Sequence, residues 1–389
     1  MKTITRTILL LSLVSLFTDV ASEMLYPVIP IYLKSIGFSV LLIGVLEGIA
    51  EAAAGLSKGY FGKLSDNTGK RLPFVRLGYS LSALSKPMMA LFTFPAWIFG
   101  ARTLDRLGKG IRTGARDALL SDEATPETKG RVFGFHRGMD SLGAVIGPAL
   151  ALLFLYLYPE RYKTLFYIAF IPGVVSIACT FFIKPKKLTP KTNNNPTHFF
   201  DFIRYWKSSP VAYRKLVTGL LLFALFNSSD MFLILQVKNH GVSDAAAIGI
   251  YIFYNMVYAG FSYPLGGLGD RIGFKKVLLL GLVVFAVVYF GMAFTDNLYI
   301  FFGLFFIYGF YTAATDGISK AWISNVTDKK DTATAIGTFT GFQSICTLIA
   351  SSLAGLVWLE FGAKWLFLAT GFVTVLIIGY FGMMVRNNQ

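Results

Sequence analysis

A chain of 389 residues that is 54% hydrophobic and only 15% charged, with a mean hydropathy of +0.60, lies far from the balance of a soluble domain and points to lipid as its solvent. The formal net charge of +15 does not signal nucleic acid, because Lys and Arg fall mainly between apolar stretches rather than along one basic face. Bases concentrated in loops are what the positive-inside rule produces, and two cysteines in separate apolar runs, Cys179 and Cys346, exclude a disulfide framework.

Taken in chain order, apolar segments near the ~20 residues that span a bilayer occur about twelve times. The expected spans are 7–33, 39–61, 72–92, 95–114, 131–157, 163–183, 214–237, 245–267, 275–295, 298–322, 333–358 and 363–385. The first resembles a signal peptide as far as Leu16. It runs on past Asp19 and Glu23 to Tyr32, so an uncleaved first helix is expected. The stretch from Lys184 to Arg214 carries Lys184, Lys186, Lys187, Lys191, Arg204, Lys207 and the run Asn193-Asn194-Asn195-Pro196. It is the expected cytoplasmic linker, dividing the chain into a six-helix bundle at 1–183, a basic linker at 184–213 and a second six-helix bundle at 214–389. Lys70-Arg71 and Lys275-Lys276 mark two further cytoplasmic loops. With an even number of spans both termini are expected on that side, in the cytoplasmic (inner) membrane of a bacterium.

The halves repeat one another. Gly62-Lys63-Leu64-Ser65-Asp66-Asn67-Thr68-Gly69-Lys70-Arg71 recurs as Gly266-Gly267-Leu268-Gly269-Asp270-Arg271-Ile272-Gly273-Phe274-Lys275. Asp105 and Lys109 recur as Asp316 and Lys320, and Phe133-Gly134 with Gly138 and Ser141 recurs as Ile336-Gly337 with Gly341 and Ser344. Such order and spacing predict an all-α membrane protein of about twelve transmembrane helices in two pseudo-symmetric six-helix bundles, an architecture of secondary transporters.

On this Gly-x-Leu-x-Asp-x-x-Gly-Lys-Arg loop and its weaker copy, the sequence resembles the major facilitator superfamily over essentially its whole length. Gly62 and Gly69 permit a tight turn and close approach, Asp66 offers an anion to a neighbouring helix N-terminus, and Lys70-Arg71 hold the loop in the cytoplasm. The resemblance implies a conformational latch, here Gly62, Asp66, Gly69, Lys70 and Arg71 with Asp270 and Arg271, although Asn67 stands where the family usually has Arg. In span five, Gly134 and the run Gly143-Ala144-Val145-Ile146-Gly147-Pro148 are similar to the signature of the family's drug and proton antiporters, with Ala151-Leu152 replacing its trailing glycine pair. A plain small-residue packing face accounts for the same pattern.

Ionisable groups within spans cost about 2.5–3.5 kcal/mol each even on the mild insertion scale, so each calls for a reason. Asp19 with Glu23, and Glu47 with Glu51, lie one turn apart, and Arg76 and Lys86 fall in span three. Arg102, Asp105, Arg106, Lys109, Arg112 and Arg116 share one stripe of span four. From Lys109 onward that stripe is expected to be a positive-inside anchor; Arg102, Asp105 and Arg106 are expected to act. The superfamily's span-four arginine, linked there to proton coupling, falls at Arg102 or, in another register, Arg106. His136, Arg137 and Asp140 open span five, where the repeat has uncharged Phe339, Thr340 and Gln343. An Asp140 carboxylate beside Arg137 or Arg102 could alternate between an ion pair and a protonated state; a permanent structural pair is the alternative. In the second half Asp230, Asp316, Tyr251, Tyr254, Asn255, Tyr258, Tyr308 and Tyr311 are candidate substrate contacts, with interface belt or packing as the other use of such tyrosines.

The expected function is secondary active transport of a small molecule by alternating access, as proton-coupled efflux ahead of proton- or cation-coupled uptake or divalent metal export. No Ser-His-Asp order, His-Glu-x-x-His or phosphate loop suggests an enzyme. No cofactor or metal is expected, the proton motive force being the energy source, and the expected partners are a small-molecule substrate, protons and membrane lipids around a monomer.

Overall fold

In hydrocarbon each backbone N–H and C=O must be satisfied within its own segment, which is why every apolar run of this chain folds as helix. A computed structural model describes residues 3–184 and 198–383 and gives the protein as all-α, with no strand among the described residues. Lys186, Lys187, Lys191 and the Asn193–Pro196 run of the expected linker lie outside them. The helices are α1 (Arg6–Leu25), α2 (Ile29–Ser35), α3 (Val40–Thr68), α4 (Arg71–Leu91), α5 (Pro95–Glu123), α6 (Lys129–Leu157), α7 (Tyr162–Phe181) and α8 (Asp201–Ser208). There follow α9 (Val211–Ala224), α10 (Met231–Asn239), α11 (Asp244–Ile272), α12 (Phe274–Phe294), α13 (Leu298–Asn325), α14 (Thr332–Phe361) and α15 (Ala363–Met383). Seven segments combine membrane-spanning length with a mean hydropathy of 1.6 to 2.7. α3 and α5, each of 29 residues, are as long but interrupted by charge.

The repeat in sequence is also a repeat in how helices start and stop. Ser39 and Ser243 cap α3 and α11, their hydroxyls accepting from the N–H of Leu42 at 3.2 Å and of Ala246 at 3.3 Å. Both helices run 29 residues and end at a glycine of positive φ, Gly69 at 64° and Gly273 at 95°. Two expected spans are broken. Pro27, without an N–H, separates α1 from α2, and the polar run Asn227-Ser228-Ser229 separates α9 from α10. The linker also holds a helix, α8, whose Phe202 and Tyr205 are buried and whose Asp201 carbonyl accepts from Lys63 at 3.1 Å.

Two compact units emerge. The first takes in Met1–Thr125, Met139–Ser208 and Thr327–Gly341; the second takes in Pro126–Gly138, Ser209–Val326 and Phe342–Gln389. Thus α6 and α14 each begin in one unit and finish in the other. In the first, α5 packs along α3 and α4, and an apolar cluster around Tyr32, Leu33, Ile98, Leu165 and Phe166 fills one end. In the second, the core is aromatic, with Phe285 stacked on Tyr289 at 4.1 Å and Tyr311 at 4.7 Å from Phe285. Outward residues such as Leu153, Ile171, Phe181, Leu356 and Leu376 are exposed apolar side chains, the surface expected against acyl chains.

Small residues decide how closely α6 lies on α1. A Cβ at Gly143 would meet the Leu16 carbonyl at 2.8 Å, and one at Gly147 the Met24 nitrogen at 2.7 Å, so the backbone itself would have to move. Gly147→Leu should therefore lower the thermal stability of the purified protein by about 1–3 kcal/mol or more, while Gly100→Ala, with open space around it, leaves it unchanged. At the end of α10, His240 donates from Nδ1 to the Gln236 carbonyl at 2.8 Å and from Nε2 to the Asp296 carboxylate at 2.9 Å, and these two contacts raise its pKa above the ordinary histidine value. The raised folded-state value means the contribution is full at acid pH and is lost as pH rises through it. His240→Gln should cost up to about 1 kcal/mol below about pH 5 and nothing above about pH 9, read as the difference in denaturation midpoint.

Candidate functional site

The charged stripe of α5 exists because a 29-residue helix brings every third or fourth side chain to one face, and the packing of α3 and α4 along it decides which of those charges meet a partner. Arg102 lies at the centre. Its Nε donates to Glu47 Oε1 at 2.6 Å and its Nη2 to Glu47 Oε2 at 2.9 Å, a two-pronged pair, while Nη1 reaches Asp105 at 3.3 Å. One turn on, Arg106 lies 3.6 Å from Glu47 and 3.5 Å from Glu51. Asp105 takes a hydrogen bond from the Lys86 ammonium at 2.9 Å. The expected acidic pair of span two is thus held by guanidinium groups, and Glu47 and Glu51 are not gathered with Asp19 and Glu23 as an oxygen cage for a divalent ion. Among the described residues no His, Cys, Asp and Glu group of metal-binding geometry occurs.

Next to this network opens a small pocket of about 40 Å³ lined by Asp19, Ser22, Glu23, Tyr26, Arg102, Asp105, Arg106, Lys109 and Arg112. Asp19 has no salt-bridge partner within 4.0 Å among the described residues, and it lies close enough to Asp140 for the two carboxylates to repel. Lys109 is exposed into the same space. The lower stripe corrects an expectation: Arg112 and Arg116 are not a solvated anchor. Arg112 is buried, donates to Ser82 Oγ at 2.7 Å and lies over the Tyr79 ring at 4.5 Å. Arg116 pairs with buried Asp117 at 2.8 Å and donates to Ser15 at 3.1 Å. The helix continues to Glu123, so these bases stay inside the unit where the sequence placed them beyond the membrane.

The latch residues also sit on helix ends. Within the first unit Asp66 accepts from Arg71 Nη2 at 3.0 Å and, through its other oxygen, from the Thr334 N–H at 2.7 Å and hydroxyl at 2.8 Å. A carboxylate thereby caps the first turn of α14. Within the second unit Asp270 does the same for α6, accepting from the N–H of Gly130 at 2.7 Å and of Arg131 at 3.0 Å. Lys70 and Arg271 are exposed, but Arg71 is buried: it pairs with Asp122 and donates to the Lys329 carbonyl at 2.9 Å. Gly62 lies against the backbone of Ala333 and Gly337, leaving no room for a side chain.

The span-five cluster is divided. Gly134 packs on Ser262 and Gly266 of α11, whereas Gly143, Gly147 and Pro148 belong to the stretch packed on α1. His136 is fully buried, and Arg137 Nε lies 3.3 Å from Asp316, which also has Lys320 at 3.7 Å and the Tyr258 hydroxyl at 2.8 Å. Asp230 gathers the hydroxyls of Tyr254 at 2.8 Å and Tyr308 at 2.6 Å, and the Tyr311 hydroxyl accepts from Asn227 at 3.1 Å. Asn255, expected at the substrate, donates to the Tyr251 carbonyl of its own helix at 2.9 Å. Ser22, Tyr26 and Asn227 were not singled out from the sequence; the one-turn spacing of Ser22 from Asp19 and of Asn227 from Asp230, and the two-turn spacing of Tyr26 from Asp19, were the available signal.

Breaking a buried pair leaves an uncompensated charge, while removing both partners does not. Lys86→Met should destabilise by about 3–5 kcal/mol and Lys86→Met with Asp105→Asn should recover at least half of that, measured by a double-mutant cycle on thermal unfolding.

A family model for the Major Facilitator Superfamily matches residues 11–261 and 237–388. An uncharacterised MFS-type transporter of Methanocaldococcus jannaschii is 33% identical over 365 residues, covering 92% of this chain and 89% of its own. A multi-drug resistance efflux pump homologue of Lactococcus lactis is 22% identical over 88% of this chain and 86% of its own. Among solved structures, the human organic anion transporter MFSD10 superposes with a TM-score of 0.80 at 16% identity, over 97% of this chain and 99% of that one.

Proposed function

The chain belongs to the major facilitator superfamily, and we propose that within it the protein exports a small molecule in exchange for protons. Membership makes it a secondary transporter; the direction and the coupling ion are our reading. The observation that carries the reading is the contrast between the pocket and the ion network beside it. Glu47 and Glu51 are held by Arg102 and Arg106, whereas Asp19, beside Asp140, faces the opening without a cation within salt-bridge reach. A carboxylate so placed takes up and releases a proton as its surroundings change, and a substrate group bound in the same pocket competes with that proton. The Arg102 cluster supplies fixed charges whose pairing differs between the proton-loaded and substrate-loaded forms. The packing glycines on α1 and the efflux relative of Lactococcus lactis favour export.

Alternating access further requires that the helix-capping contacts of Asp66 and Asp270 break and re-form. Each joins the end of a helix in one half of the sequence to the start of a helix in the other, so each acts as a latch. Two halves of six helices divided at the linker, a monomer in the cytoplasmic membrane and cytoplasmic termini belong to the same proposal.

The test begins with a thermal-shift screen of small molecules on the purified protein, followed by flux of the hit compound in proteoliposomes under an imposed pH gradient. Wild type should move the compound against the proton gradient, and Asp19→Asn, Arg102→Gln and Asp140→Asn should each lose at least tenfold of the gradient-driven component. Wild-type gradient-driven flux in all three would sink the assignment of coupling to this pocket.

A further inference from the structure

The second unit contains a carboxylate that the pocket does not use and that nothing cationic answers. Asp230 sits at the end of the break between α9 and α10, half-buried, with two phenol hydroxyls on its oxygens and no Lys, Arg or His within 4.0 Å among the described residues. Other carboxylates of the charge networks have a cation or a helix N-terminus against them. Asp316 has two cations, Asp105 two, Glu47 two, and Asp270 two backbone N–H groups. An anion satisfied only by neutral donors at this depth is costly, and a bound cation is the ordinary remedy.

Three further observations place oxygen ligands at the same spot. First, both within the break, Asn227 Oδ1 is buried without a hydrogen-bond partner among the described residues, and buried Ser228 Oγ has only the Tyr289 hydroxyl beside it. Second, the break frees backbone. The last regular bonds of α9 end with Leu225 on Leu221 and Asn227 on Phe223, and α10 resumes with Phe232 on Ser229, so the carbonyls of Ala224 to Ser228 accept no backbone N–H. Third, Asn227 and Asp230 are tied to one helix face. Asn227 donates to the Tyr311 hydroxyl and Tyr308 donates to Asp230, and those two rings lie 5.3 Å apart on α13. Amide, hydroxyl, carboxylate and carbonyl oxygens around one formal negative charge form a hard donor set.

From this set the geometry points to a sodium-sized monovalent cation site at the α9–α10 break, with Asp230, Asn227 and Ser228 as side-chain ligands and freed carbonyls of the break completing it. A divalent ion of the calcium type is bound by several carboxylates, and the break offers one. A bare proton would leave Asn227 Oδ1 and the carbonyls unanswered. An organic ammonium reaches the exposed side of Asp230 but not the buried Asn227 and Ser228 oxygens. Broken helices whose unwound carbonyls hold a coupling cation are a known device of transporters with interrupted spans. The site is separate from the pocket lined by Asp19 and Arg102, and it stands or falls independently of proton-coupled export.

The experiment is a sodium titration of the purified full-length protein in detergent, with choline chloride replacing sodium at constant ionic strength, read as the thermal unfolding midpoint and as equilibrium binding of radioactive sodium. Wild type should show a saturable rise in midpoint with sodium and saturable binding. Asp230→Asn should abolish both, and Asn227→Ala and Ser228→Ala should each weaken the apparent affinity about tenfold. No sodium response in wild type, an equal response to choline, or a response retained in Asp230→Asn overturns the proposal. Should Asp230→Asn not fold, unchanged sodium affinity in both Asn227→Ala and Ser228→Ala overturns it. A protein that ignores sodium yet exchanges its substrate for protons removes this site and leaves the export reading standing; sodium binding without such exchange does the reverse.

Discussion

Hydrocarbon cannot solvate an isolated charge, and the arrangement of the first unit follows from the need to neutralise each one where it stands. The chain of contacts from Lys86 through Asp105, Arg102, Glu47 and Arg106 to Glu51 alternates in sign at every step, with separations of 2.6 to 3.6 Å. Such a ladder fixes three helices against one another, since α4 supplies Lys86, α5 the arginines and Asp105, and α3 the glutamates. A change in the charge of one member alters which pairings are satisfied, and close-packed helices answer by shifting as bodies rather than by deforming.

The same electrostatic rule acts at the helix ends, where the charge to be met is partial rather than formal. Asp66 and Asp270 place a carboxylate on the first N–H groups of α14 and α6, the positive end of each helix dipole. Because these bonds join separate stretches of chain rather than one helix to itself, they hold a conformation without being needed for the helices to form. That separation of duties, strong secondary structure with conditional contacts at its ends, is what allows a membrane protein to move without unfolding.

The spans were legible because a bilayer-long apolar run has one structural solution, and limits such as 72–92 and 363–385 meet α4 and α15 within two residues. The loop motif was legible for a similar reason: Gly69 and Gly273 adopt backbone angles that few other residues tolerate. What composition could not give was side-chain partnership. Arg112 and Arg116 read as loop anchors because apolar periodicity fades after position 114, yet Tyr79, Ser82 and Asp117 supply the ring, hydroxyl and carboxylate that let them stay inside. The breaks at Pro27 and Asn227–Ser229 were invisible to hydropathy, since three polar residues barely dent the average over a window of about 19.

The repeat itself separates what the scaffold needs from what the activity needs. Caps, terminal glycines and latch carboxylates are duplicated at matching positions of α3 and α11, so they belong to the scaffold. The charged ladder is not duplicated. The first unit carries Glu47, Glu51 and Arg102 as a ladder, and the second carries tyrosines around Asp230. The first copy thus carries an extended ladder of paired ions, and the second a shorter ion cluster on Asp316 beside a carboxylate among phenols. The scaffold accommodates both fillings, so the repeat that sets the fold does not by itself dictate the charges inside it.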